Sequence, residues 1–193
     1  ETLMNPEPLT DNERALVRES WAFMENDLEK HGVNFFLKIF KKEPPIQQLF
    51  AIKIPGGYFH PFHQGDPAEE QLDLEIAPKL KEHAQRYMKM IAFSVQNLEG
   101  GSQIEQTFAR LGTIHAKYGV EPQHFALMRH ALVETIEEEF SPNANPEVLV
   151  AWGKAFDRVA SMMAPTLFAE HVRFNDVDCE SDEQVEYASG HLN

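Results

Sequence analysis

From Leu80 to Leu98 the inward-type residues recur every three or four positions: Leu80, His83, Tyr87, Ile91, Val95 and Leu98. That spacing gathers them on one face of an α-helix and cannot be read as the two-residue alternation of a strand. The same rhythm returns elsewhere. It runs through Val17, Trp21, Met24 and Leu28, and through Val33, Phe36 and Phe40. It continues through Ile104, Phe108, Leu111, His115 and Tyr118, then Phe125, Met128, Leu132 and Ile136, then Val148, Trp152, Phe156, Val159 and Met163. No stretch of useful length alternates like a strand, and no segment repeats. The chain is expected to be all-α.

Breakers and caps divide these stripes. Thr10-Asp11-Asn12-Glu13 is a capping box, in which Thr10 caps Glu13 and Glu13 reaches back. Gly32 is read as the opening of the second helix, which Pro44-Pro45 ends, leaving room for one short turn from Ile46 to Phe50. Gly100-Gly101 stops the long stripe, and Ser102-x-x-Glu105 reads as a second capping box. Gly119 and Pro122 break the next helix, and Asn145-Pro146 suits an N-cap followed by a first turn. Residues 51–77, with Gly56-Gly57 and three prolines, read as a long loop. The expected organisation is a flexible arm over 1–9, one domain over 10–173 and a disordered acidic tail over 174–193. That tail carries six acids and neither Lys nor Arg.

Charge narrows the partners. The chain has 31 acidic against 17 basic residues, a net charge of −14. Such a surface repels phosphate backbones and anionic membranes, so no nucleic acid or membrane partner is expected. No apolar run reaches the length of about 18 residues that a spanning helix needs. Cys179 is the one cysteine, which excludes an intrachain disulfide framework and suits a reducing, cytoplasmic setting. Its acidic neighbours keep that thiol protonated and slow. His60 and His63 have a metal-like spacing, but no further ligands lie nearby, and they read as a solvated loop. Oligomeric state is left open by the sequence.

The chemistry concentrates in two histidines. His83 and His115 each fall on an apolar stripe, on different helices. A buried imidazole is costly unless its nitrogens find partners. A core or rim histidine satisfied by a hydrogen bond is one reading of each. A flat iron porphyrin between the two helices, ligated by one or both, is the other. Fourteen Phe against four Tyr would give such a group an apolar lining.

From about Leu9 to Leu167 the chain resembles the globin family, its neuroglobin-like branch most closely. Pro44 stands six residues before Phe50, as in the globin C helix and the phenylalanine that packs on haem. Phe36, fourteen residues before Phe50, matches the bulky B-helix residue over the distal pocket. KLKEHAQRYMKMIAFSVQNL (79–98) is similar to an E helix, with His83 at the distal position. FARLGTIHAKYGV (108–120) is similar to an F helix, with His115 at the proximal position. AWGKAFDRV (151–159) is similar to the H helix.

The resemblance implies a globin fold of about eight helices around a haem pocket, with a long loop between the C and E helices. It implies haem b (iron protoporphyrin IX), non-covalent because one cysteine cannot form the C-x-x-C-H attachment. His115 would bind the iron, and His83 would face or bind it from the other side. Phe36, Phe50, Leu111, Val120, Phe125 and Met128 would line the pocket, and no separate catalytic residue is implied. Two features depart from the family pattern. Tyr87 stands one turn after His83, where most globins carry a small aliphatic residue. It would either crowd or hydrogen-bond a ligand, or tip outward to solvent or a propionate. The Phe50–His83 segment is also about a dozen residues longer than in short-loop globins, which would let His83 approach the iron. The implied role is a six-coordinate bis-histidyl protein in redox chemistry or gas sensing, its partners O2, CO, NO or a small redox molecule. The alternatives are reversible O2 transport on a five-coordinate haem and a haem-free sensor domain.

Overall fold

A computed structural model of the chain describes residues 6–47, 49 and 77–189, with backbone alone at 77, 79, 171 and 174–189. Six α-helices carry it: α1 (Asp11–Met24), α2 (Leu28–Lys42), α3 (Ala77–Gln96), α4 (Ser102–Ala116), α5 (His124–Phe140) and α6 (Pro146–Ser189). Short 3-10 turns at Glu25–Asp27 and Pro44–Gln47 follow α1 and α2. Among the described residues there is no strand, so the fold is all-α as the periodicity requires.

The first helix starts where its cap dictates. The Glu13 amide donates to Thr10 Oγ1 at 3.2 Å, and the Thr10 amide donates to Glu13 Oε2 at 2.8 Å. Leu9, the last residue of the expected arm, is already buried in the core. Val17, Trp21 and Met24 face inward, and α1 lies on α6. The Trp21 and Trp152 rings meet at 6.1 Å, and Trp152 Nε1 donates to Ser20 Oγ at 2.9 Å in a buried contact. At the rim of the same seam Lys154 Nζ pairs with Glu13 at 2.7 Å.

Three boundaries differ from the sequence reading. Gly32 does not open α2; it lies inside it, after an N-cap in which Asp27 accepts from the Lys30 amide at 3.2 Å. The glycine is there for a helix crossing, because a Cβ would sit 2.9 Å from the Ala84 carbonyl oxygen and 2.9 Å from Met88 Cγ on α3. Ser102 forms no capping box. The backbone turns at Gly101, whose φ of 121° suits glycine, and Ser102 already belongs to the helix, so its hydroxyl is one residue too late to cap. α6 continues to Ser189 through the acidic segment expected as a disordered tail, and 190–193 lie outside the described residues. The long loop expected over 51–77 lies almost wholly outside the described residues as well.

Other boundaries follow the sequence. Asn145 Oδ1 accepts from the Glu147 amide at 2.9 Å, capping the start of α6 at Pro146. Gly119 takes a left-handed φ of 76° just beyond α4. No helix among the described residues is long and apolar enough to cross a membrane.

Candidate functional site

Two helix crossings without a side chain at the contact position the site. Gly32 lets α2 close onto α3, the helix that bears His83. Gly112 lets α4, the helix that bears His115, close onto α6. A Cβ on Gly112 would lie 2.3 Å from the Met163 carbonyl oxygen and 2.4 Å from Thr166 Oγ1. Thr166 Oγ1 donates across the same crossing to the Ala109 carbonyl at 2.6 Å. Both histidine helices are therefore held at backbone-to-backbone distance by a neighbour.

Between them lies a cavity of about 620 Å³, lined mainly by apolar side chains. That volume suits a flat, drug-sized or larger organic group. His83 and Tyr87 from α3, Leu111 and His115 from α4, Val120 from the following turn, and Phe125 and Met128 from α5 all reach its wall. Seven of the nine residues singled out in the sequence thus converge on one space. Phe36 stands behind the wall, its ring against His83 (centroids 5.1 Å, 63° between planes). Phe50 lies outside the described residues, as do His60 and His63.

The His115 ring has a defined tautomer. Nδ1 lies 2.8 Å from the Leu111 carbonyl oxygen, one turn back along α4. A carbonyl can only accept, so Nδ1 carries a proton, and in the neutral ring the lone pair is on Nε2. This is the state a metal requires of an imidazole, with the other nitrogen held by a backbone oxygen.

Tyr87 points inward. Its ring stacks on Phe35 (4.2 Å, 12°) and meets Phe36 edge-on (5.5 Å, 70°). Its Oη is fully enclosed and has no hydrogen-bond partner among the described residues. Burial pushes the phenol far above its usual range, so it stays protonated. Of the two orientations open in the sequence, the outward one is not adopted.

Several wall residues were not anticipated as such. Arg86 and Glu82 pair with each other at the rim beside His83. Ile114 and Tyr118 flank His115 and remain partly exposed. At its inner end the cavity runs past Phe108 and Val95 to Trp152 and Phe156. Arg86 was legible as the cation one turn after Glu82 on the histidine helix; the inner end was not, since its residues read as plain core. Among the described residues no group of three or more His, Cys, Asp or Glu gathers to hold a bare metal ion. Two imidazoles on an apolar wall fit a metal that arrives inside an organic ring better than a naked cation.

Comparison with known proteins gives the same picture. A family model described as Globin matches residues 57–163. The chain is 33% identical over 155 residues to an anaerobic nitrite reductase of Casuarina glauca, covering 79% of this chain and 88% of that protein. It is 33% identical over 150 residues to cytoglobin-2 of Danio rerio, covering 77% of each. It is 32% identical over 155 residues to a second anaerobic nitrite reductase, from Gossypium hirsutum, covering 79% and 86%.

Proposed function

Because this chain belongs to the globin family and is a haem-binding protein by that membership, we propose that it holds one non-covalent haem b, with His115 as proximal ligand and His83 in the sixth position when no other ligand is present. The observation that carries this reading is the convergence of His83 and His115, from separate helices, on one cavity of about 620 Å³. When bound, haem supplies an iron atom that exchanges electrons and takes up small ligands.

The chain's own residues then have distinct tasks. His115 presents Nε2 because Leu111 holds its Nδ1–H. Leu111, Val120, Phe125 and Met128 keep water from the faces of the ring. Arg86, on the rim, is paired with Glu82 and would exchange that partner to meet a carboxylate of the bound group. His83 covers the distal side and must leave before O2, CO, NO or another small molecule can enter. Apparent affinity falls by the fraction of time the site is open. That ceiling suits redox chemistry or gas sensing better than bulk O2 transport. A second reading, anaerobic nitrite reduction, is favoured by two relatives that are anaerobic nitrite reductases. Anaerobic release of NO from nitrite and the reduced protein would test it.

Absorption spectra of the purified protein, ferric and dithionite-reduced, test the main reading. Low-spin, six-coordinate bands are expected in both states, and His83→Leu should turn the reduced form five-coordinate and high-spin. A five-coordinate reduced wild type would refute the role of His83 and return simple O2 binding to first place.

A further inference from the structure

The helix that carries His115 leans on one neighbour. The backbone of α4 packs closely along α6 and only marginally approaches any other described helix. The seat of His115 is therefore set at the α4–α6 crossing. Three features of α6 meet α4 there, within one turn. The Met163 carbonyl occupies the space that a side chain at Gly112 would need. Thr166 Oγ1 donates to the Ala109 carbonyl at 2.6 Å, a shorter contact than the 3.0 Å to Met163 of its own helix. A carbonyl oxygen has a second lone pair beyond its helical bond, so Ala109 can accept without breaking α4. Between Met163 and Thr166 stands Pro165, which has no amide proton to give the Ser161 carbonyl. α6 thus lacks a rung of its own hydrogen bonds where α4 leans on it, and the Thr166 hydroxyl ties the two helices at that point.

We propose that Thr166 is a positioning residue for His115: its hydroxyl fixes α4 on α6 and thereby sets the length and tilt of the bond from His115 Nε2 to iron. This rests on the haem reading above. Ala109 and Gly112 lie two turns and one turn before His115, and the Leu111 carbonyl between them holds the His115 Nδ1–H. Displacing that stretch of α4 moves the imidazole with it. Groups behind a metal ligand tune the metal as well as orient the ligand. A helix tied to a single support holds the imidazole where α6 puts it, and the bond to iron must adapt. Without the tie, α4 can follow the iron, and the bond approaches its unstrained length.

The experiment uses the haem-loaded chain carrying His83→Leu, in which His115 is the one protein ligand of the reduced iron. Thr166→Val keeps the branched shape and removes the hydroxyl, whereas Thr166→Ser keeps the hydroxyl. In resonance Raman spectra of the reduced proteins, the iron–His115 stretching band should rise in wavenumber in Thr166→Val and keep its parent position in Thr166→Ser. Thr166→Ala gives the same reading if valine prevents folding. A band that does not rise when the hydroxyl is removed would overturn the role of Thr166, even in a less stable variant, since lost stability alone marks a structural contact. An equal rise in Thr166→Ser would overturn it too, because the hydroxyl would then not be the cause. A parent that takes up haem but lacks the band would overturn His115 as the ligand, and a parent without haem would overturn the whole reading beneath.

Discussion

At the scale of single residues, the site depends on where two imidazoles and one phenol point. His115 has the more constrained geometry, since the Leu111 carbonyl determines its tautomer. His115→Leu should therefore abolish stoichiometric haem uptake, or leave it weak and exchangeable, as read from the Soret band on titration with haemin. An unchanged Soret band and coordination in that variant would sink the assignment. Both histidines were legible in the sequence because periodicity reports which face of a helix a residue occupies. Periodicity does not report a rotamer, and so Tyr87 could not be placed until the Phe35 and Phe36 rings were seen around it. Phe36 shows the same limit from the other side. Its face was right, yet it supports His83 from behind the cavity wall.

At the scale of elements, the crossing of α4 on α6 gives the sharpest forecast. Alanine at Gly112 would gain about 1 kcal/mol in helix propensity. Its Cβ would also lie 2.3 Å from a backbone oxygen of Met163, which cannot rotate away. The overlap outweighs the propensity, because the two helices must separate. Gly112→Ala should lose about 1–3 kcal/mol in thermal or denaturant unfolding. Equal or greater stability would mean that the crossing is looser than its distances imply. The sequence could not announce this role. A glycine within a helical stripe looks like punctuation, and Gly32 was accordingly read as a helix start. Caps formed where the capping residue stood just outside the helix, as at Thr10 and Asn145. The box expected at Ser102 yielded to Gly101, whose backbone could turn where serine could not.

At the scale of the whole molecule, one ion pair ties the first helix to the last. The side chain of Lys154 donates to Glu13 and, with the Thr10 bonds, holds the Glu13 carboxyl below its ordinary value of 4.5. A lowered carboxyl value stabilises the fold above the unfolded value and ceases to do so as pH falls through the folded one. Glu13→Gln keeps a capping-box side chain and removes the charge. At neutral pH it should lower Tm by no more than about 3 °C, the range an exposed pair reaches in a domain of this size. Below the folded value of Glu13 the two proteins should melt alike. A difference that persisted in acid would trace the effect to the cap rather than to the ion pair.

The seam between α1 and α6 has a consequence for the order in which the molecule is made. Ser20 and Trp152 bond across 132 positions of sequence. During synthesis the N-terminal helix is complete long before its partner emerges, and at about 5–20 residues per second that interval lasts several seconds or more. For that time Trp21 and Met24 have no α6 to cover them. A helix of 14 residues is marginal by itself, and its apolar face stays uncovered until α6 emerges, so α1 depends on other surfaces in that interval. Closure of the domain is then a late event governed by distant contacts, which slows folding relative to a bundle of neighbouring hairpins.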